Sequence, residues 1–265
     1  MSTFSYAARD SATMLRRNLR HLLRYPAMAV SVLGLPVIML LLFVYVFGGT
    51  LGAGLGTARG LSYIDYLAPG IIVLAVCSGA VSTAVSVNVD MTEGIINRFR
   101  TMAIARTSVL TGHVAGSVIQ AVLSAVLVTG VALAVGFRAT ASPAGGAAAF
   151  ALIVLLALAT TWLSVALGLV AKSPATASNL PMPLFLLPFL GSAFVPPASM
   201  SAGVRWFAEY QPFTPIIDAL RGLLLGSSAG DSLPIAFGWC AGLAVVGYLW
   251  ARARFNGAAT TSRSR

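Results

Sequence analysis

Residues 67–89 read LAPGIIVLAVCSGAVSTAVSVNV, 23 positions with no Asp, Glu, Lys or Arg among them. A hydrocarbon core about 30 Å thick takes about 20 predominantly apolar residues as a helix, so this stretch is long enough to cross a bilayer. The same ruler applied along the chain marks Ala27 to Gly49, Val114 to Phe137, Ala147 to Ala171, Ser178 to Val195 and Pro234 to Trp250. Six helical spans are therefore expected. The fifth is the weakest, because Pro181, Pro183 and Pro188 each remove a backbone donor, and a bent or partly unwound segment is expected there.

Composition agrees with that reading. Hydrophobic residues make up 58% of the chain and charged residues 9%, against about a quarter charged in an ordinary soluble domain. The net charge of +10 is not a nucleic-acid signature, since the arginines cluster beside apolar runs. Cys77 and Cys240 each sit inside an apolar run and read as small buried side chains. Met1 to Arg24 has neither an apolar core nor a small-residue cleavage site, so the first apolar run is expected to insert and stay.

The distribution of Lys and Arg sets the orientation. With the N-terminus inside, thirteen cations flank the cytoplasmic ends, and four (Arg59, Arg138, Arg205 and Arg221) lie outside. Both termini are then cytoplasmic. Ahead of the first span, Leu15, Leu19, Leu22 and Leu23 recur at helical spacing, with Arg16, Arg20 and Arg24 on another face. Residues 1–26 read either as an amphipathic helix on the inner membrane surface or as a snorkelling basic anchor; both belong against lipid. The tail, residues 252–265, is expected to be cytoplasmic and disordered at its end.

Two connections are more than hydrated loops. In the cytoplasmic segment at about residues 90–103, Asp90 and Glu93 suit a helix start, and Ile95, Phe99 and Met102 share one face. That short helix presents an apolar stripe on which a partner can dock. The external segment at about residues 196–230 is rich in Trp206, Phe207, Tyr210, Phe213 and leucines. There Thr214 can cap a helix, Pro215 suits its first turn, Asp218 lies near its positive end and Gly226 can terminate it. A helix of about twelve residues cannot span. One or two re-entrant helices forming a lid are expected, with Trp206 and Tyr210 at headgroup depth.

Motifs for chemistry are weak. Ala166, Gly168, Ala171, Lys172 and Ser173 lie where a phosphate-binding loop would place its elements, but Ala stands at both glycine positions, so any ATP is expected on another polypeptide. Gly52, Gly54 and Gly56 read as a flexible external turn. Ser78 and His113 fall at different membrane depths, which argues against an intramembrane serine protease, and two isolated histidines make no metal site. Gly112 with Gly116, and Gly238 with Gly242, have the spacing for close helix approach, within the chain first and between copies second. No charged residue falls in the middle of a span, so an ion-coupled carrier lacks its usual mid-membrane group and the energy for transport must arrive from a partner.

Three stretches carry a family likeness: Glu93-Gly94-Ile95-Ile96-Asn97-Arg98-Phe99-Arg100, Pro188 to Pro197, and above all Gln211-Pro212-Phe213-Thr214-Pro215-Ile216-Ile217-Asp218-Ala219-Leu220-Arg221-Gly222-Leu223-Leu224-Leu225-Gly226. The pattern resembles the ABC type-2 permease family and, within it, the daunorubicin-resistance DrrB-like drug exporters of actinobacteria. Gln211 departs from the Asn of many members. The resemblance implies a polytopic all-α permease that is not itself an enzyme. It implies a pairing with a second copy, each copy engaging a separate ATP-binding subunit that holds ATP and Mg. Glu93, Gly94, Ile95, Asn97, Arg98, Phe99, Arg100 and Met102 would then receive the ATPase stroke. Trp206, Glu209, Pro212, Pro215, Asp218 and Arg221 would form the external lid, and Phe185, Phe189, Ser192 and Phe194 either line the substrate path or simply pack. Export of amphipathic drugs is the expectation, with a lipid or lipid-linked glycan as the alternative cargo, and an intramembrane enzyme or a scaffold as readings from other classes.

Overall fold

The computed structural model describes residues 26–54, 62–92, 106–228 and 230–261. Ten α-helices and two short 3-10 turns make up the described residues, with no strand among them. In chain order the helices are α1 (Pro26–Tyr45), α2 (Gly48–Gly54), α3 (Tyr63–Thr92), α4 (Arg106–Val135), α5 (Pro143–Val170), α6 (Pro174–Asn179), α7 (Met182–Leu186), α8 (Ala202–Tyr210), α9 (Phe213–Leu224) and α10 (Ser232–Thr261). The 3-10 turns are Leu187–Leu190 and Pro197–Ser199. Residues 1–25, with the expected amphipathic helix, and residues 93–105, with the expected coupling helix, lie outside the described residues.

Among the described residues, four helical stretches are long and apolar enough to cross a membrane: Tyr63–Thr92, Val114–Val135, Pro143–Val170 and Ser232–Phe255, with mean hydropathies of 2.1, 2.4, 2.4 and 1.6. Helix α1 adds a shorter apolar stretch, Gly34–Tyr45. The expected fifth span is not one helix. Helix α6 stops at Asn179, α7 restarts after Pro181, and Leu187–Leu190 tightens into a 3-10 turn. Three prolines within eight positions remove the donors that a continuous helix needs, which is the bend expected from the sequence.

Helix α3 is the central element. Leu67, Ala68, Ile71, Ala75 and Cys77 are fully buried on it, and its neighbours are α1, α4, α5 and the broken segment. The outer helices face the other way: Leu123, Val126 and Leu127 on α4, and Val245, Val246 and Leu249 on α10, are exposed. An apolar perimeter around a bundle has a physical rationale only when the solvent is hydrocarbon. Polar side chains within the bundle mostly return their bonds to their own helix, as Thr160 does to Leu156 O (2.9 Å), Ser164 to Thr160 O (2.7 Å) and Thr129 to Ala125 O (2.7 Å).

Polar contacts establish the directions. Thr83 of α3 donates to Ser117 of α4 at 2.9 Å, and the Arg138 amide just past α4 donates to Asp65 at 3.0 Å, so α3 and α4 are antiparallel. At the other end of the bundle the Asn88 amide donates to Gly168 O (3.1 Å) and Ala171 O (2.7 Å), tying the exit of α3 to the end of α5. Close backbone approach is found at glycines outside the two expected pairs. A Cβ on Gly168 would stand 2.5 Å from Ala84 O, and one on Gly247 would stand 2.8 Å from Leu163 N. By contrast, a Cβ on Gly238 or Gly242 would meet no atom within 4 Å, so the intramolecular reading of that pair is overturned. The spacing is right, but it points to the outer face of α10.

Two local expectations also change. Asp90 does not start a helix; it lies in the last turn of α3, where Thr92 donates back to Asn88 O at 3.0 Å. Gly52 and Gly54 belong to α2, not to a flexible turn.

Candidate functional site

The end of the bundle that holds the starts of α3, α5 and α10 is closed by α8 and α9. Helix α9 begins after Gln211, whose buried side chain accepts from the Phe213 amide (3.2 Å) and donates to the Thr214 hydroxyl (3.1 Å). The N-cap residue is Pro212, with no side-chain cap bond of its own; Gln211, not Thr214, satisfies the first amide of the helix, and Thr214 is its partner. The Gln211 side-chain amide lies against Gly191, where any Cβ would overlap it. At the far end of α9 Gly226 takes φ +64°, a left-handed backbone that favours glycine, and ends the helix as expected. Thr140 fastens that end, its amide donating to Leu224 O (3.0 Å) and its hydroxyl to Leu225 O (2.6 Å).

Helix α9 is amphipathic, and its buried face carries Phe213, Ile216, Ile217 and Leu220. Arg221 lies on that face at 8% exposure, where a lone cation would be costly. It is not alone. Its guanidinium donates to Tyr66 O through Nε (3.1 Å), to Ser192 O through Nη2 (2.8 Å) and to Asp218 Oδ1 through Nη1 (2.5 Å), and sits 3.9 Å from the centre of the Tyr66 ring. Asp218 Oδ1 accepts in turn from the Ser192 hydroxyl at 2.8 Å. The planar fork thus fixes three separate chain segments at once: the start of α3, the exit of the broken segment and α9. A lysine could not make this arrangement, because its donors do not form a rigid fork. Next to this clamp, a Cβ on Gly70 would lie 2.7 Å from Ala193 Cα, so the broken segment crosses α3 in backbone contact.

The residues expected to form the lid divide by burial. Trp206 and Glu209 are exposed on α8, Pro212, Pro215 and Asp218 are intermediate, and Arg221 is buried. Trp206 and Tyr210 form a tilted ring pair 5.6 Å apart on an exposed face that also carries Val204 and Phe207. Glu209 accepts from Arg205 at 2.7 Å.

The residues given as the substrate path also divide. Phe185, Phe189 and Phe194 form one aromatic ladder with Phe43 of α1, with centroid separations of 5.7 Å, 5.0 Å and 4.3 Å along it. Phe194 and Ser192 are buried. The ladder joins α1 to the broken segment, and of these four residues only Ser192 borders the cavity described next. Sequence reasoning missed Tyr66, Thr140 and Gln211, since each acts through a contact distant in sequence or through an amide that could equally face solvent.

A cavity of about 1,070 Å³ opens between α8, α9, the Pro197–Ser199 turn and the start of α10. Tyr66, Ser192, Asp218 and Arg221 form its floor, and Tyr210, Trp239 and Glu209 stand on its walls. The stretch around Gly168 and Lys172 is elsewhere: Gly168 is packed within α5, and the Ala171 amide donates to Leu167 O at 3.0 Å. Among the described residues no group of three His, Cys, Asp or Glu side chains could hold a metal ion, and Cys77 and Cys240 are both buried and free.

The chain is similar to known transport permeases, to one of them over most of its length. It is 28% identical over 243 residues to the daunorubicin resistance ABC transporter permease protein DrrB1 of Streptomyces coeruleorubidus, covering 89% of this chain and 84% of that one. It is 26% identical over 111 residues to the inner membrane transport permease YadH of Escherichia coli K12, covering 42% of this chain and 43% of that protein. The model of the ABC-2 type transporter family matches residues 10–225, a range that includes the broken segment and the whole Arg221 clamp. With its apolar perimeter and that match across most of its length, this chain belongs to the ABC-2 type transporter family, a multi-pass membrane permease.

Proposed function

We propose that the chain is the permease subunit of an ATP-driven exporter of amphipathic drugs or antibiotics. The observation that carries the reading is the likeness to a daunorubicin-resistance permease across 89% of this chain. ATP and Mg belong to a separate ATP-binding subunit, two copies of which serve a pair of permeases. Both termini face the cytoplasm, in keeping with thirteen of seventeen cations on that side.

In this reading the stroke enters through residues 93–102. The apolar face of Ile95, Phe99 and Met102 seats in a cleft of the ATPase, and Glu93, Arg98 and Arg100 fix its register. The push then reaches α3 directly, because the segment follows that helix in the chain. At the opposite end α3 is bonded through Tyr66 O to Arg221, so tilting α3 loads the lid. Support for this path comes from the clamp's position, one bond away from each of the three segments.

Co-purification with the ATP-binding subunit and substrate-stimulated ATPase activity test the proposal. Glu93→Ala is expected to leave the permease inserted while abolishing stimulation by amphipathic drugs. If the chain purifies alone, and Glu93→Ala leaves drug transport untouched, the coupling scheme is wrong. Stimulation by lipids instead of drugs reassigns the cargo.

A further inference from the structure

The cavity beneath α8 and α9 has a chemical preference that its floor makes legible. Among the described residues its one lining cation is Arg221, and that guanidinium donates to two backbone carbonyls and one carboxylate oxygen. Asp218 is not used up in the same way. Asp218 spends Oδ1 on Arg221 and Ser192, but among the described residues no hydrogen bond reaches Oδ2, and the side chain stays 37% exposed at the cavity. Glu209 adds a second carboxylate to the wall, its side chain 43% exposed and paired with Arg205 at 2.7 Å. Each of these carboxylates already has an arginine partner, so what the cavity offers a cation is the remaining acceptor, Asp218 Oδ2, and not a surplus of negative charge.

The rest of the wall suits an apolar body with a cationic head. Trp239 and Ile235 come from α10, Tyr210 from α8, and Pro196 and Pro197 from the turn between them. Trp239, Ile235 and Tyr210 are exposed, so their surfaces are available to a ligand. Aromatic faces attract an organic cation as well as its hydrocarbon, and the volume is that of a drug-sized ligand site. An anionic head placed at Asp218 Oδ2 would meet an acceptor that has no proton to donate, whereas an ammonium there gains a charged hydrogen bond.

We propose that this cavity is a binding site for an alkylammonium group, with Asp218 Oδ2 as the counter-ion and Trp239 and Tyr210 against the apolar portion. Two sources share that chemistry: an amine-bearing cargo, and the ethanolamine headgroup of a membrane lipid. The site follows from the cavity; only its assignment to cargo rests on the exporter reading.

The test is equilibrium binding of radiolabelled octylammonium to the full chain in nanodiscs of phosphatidylglycerol and phosphatidylcholine. Saturable binding is expected, weakened about tenfold or more, equivalent to about 1.4 kcal/mol, by Asp218→Asn. Because Asp218 also belongs to the clamp, Ser228→Lys supplies the second variant. It places a cation on the exposed cavity rim, away from Arg221, and is expected to weaken binding to a similar extent. Octyl sulfate is expected not to compete. Unchanged affinity in Ser228→Lys, or competition by octyl sulfate equal to that by unlabelled octylammonium, overturns the site. Repeating the measurement in discs containing phosphatidylethanolamine separates the sources: a loss of apparent affinity assigns the site to the lipid headgroup, and no loss assigns it to a diffusible amine. Failure of octylammonium to stimulate the ATPase of the assembled transporter refutes the cargo assignment alone, since binding was measured without ATP.

Discussion

Replacing Arg221 with Met preserves most of the side chain's length and apolar stem but deletes the fork. Three hydrogen bonds go with it, to Tyr66 O, Ser192 O and Asp218 Oδ1, together with the ring contact to Tyr66. Breaking a fully buried pair costs about 3–5 kcal/mol, because one charge is left unmatched. Here the remaining charge is Asp218, which is 37% exposed and keeps the Ser192 hydroxyl, so water offsets part of that loss. The Ser192 carbonyl is less fortunate, as its residue is 1% exposed. Stranding one buried acceptor costs about 1–3 kcal/mol, and together these terms put Arg221→Met at about 3 kcal/mol. Arg221→Lys keeps the charge and can hold one or two of the three acceptors, so about 1.5 kcal/mol is expected. Reversible unfolding in mixed micelles, followed by helical ellipticity, reads both values. An Arg221→Met protein within about 0.5 kcal/mol of the parent, the usual scatter of surface substitutions, would refute the clamp. The same variants are expected to impair transport, since the lid and α3 would no longer move together.

Other substitutions probe separate contacts. Asn88→Asp turns a donor into an acceptor-only group facing Gly168 O and Ala171 O, and should cost more in the same unfolding assay than Asn88→Ala, at about 1–3 kcal/mol. Gly168→Val should destabilise by more than about 3 kcal/mol or prevent assembly of the bundle, because Ala84 O leaves no room for a Cβ, whereas Gly238→Ala should stay within about 0.5 kcal/mol; equal effects would contradict the packing described. Cysteine accessibility in cells should place labels at positions 138 and 205 outside and at 252 inside, with native Cys77 and Cys240 unreactive because both are buried; labelling of 252 from outside would invert the proposed topology.

Features that act locally were legible in the sequence. The start and stop of α9, the break at Pro181, Pro183 and Pro188, and the apolar runs each depend on backbone donors, turn chemistry or hydrophobic length within a few residues. So the class of protein, a helical membrane bundle with a broken segment and a short amphipathic lid helix, was determined by sequence alone. Even there, local ambiguity shows. Thr214 and Gln211 are both polar side chains beside a helix start, and the tertiary structure, with Gln211 packed against Gly191, decides that Gln211 takes the first amide while Thr214 accepts from it.

Longer-range questions needed the tertiary structure. Arg221 carries the same charge in the sequence as Arg205, yet one is buried beneath three chain segments and the other pairs with Glu209 at the surface. Nothing within a few positions distinguishes them; the distinction comes from Tyr66, 155 residues away, and Ser192, 29 residues away. Small-residue spacing likewise marks Gly238 and Gly242 as readily as it misses Gly168 and Gly247, because close approach depends on which face of a helix its neighbour covers. Sequence set which segments become helices and that their solvent is lipid. The tertiary structure decided which cation is spent on holding the lid, and therefore which carboxylate is left facing the cavity.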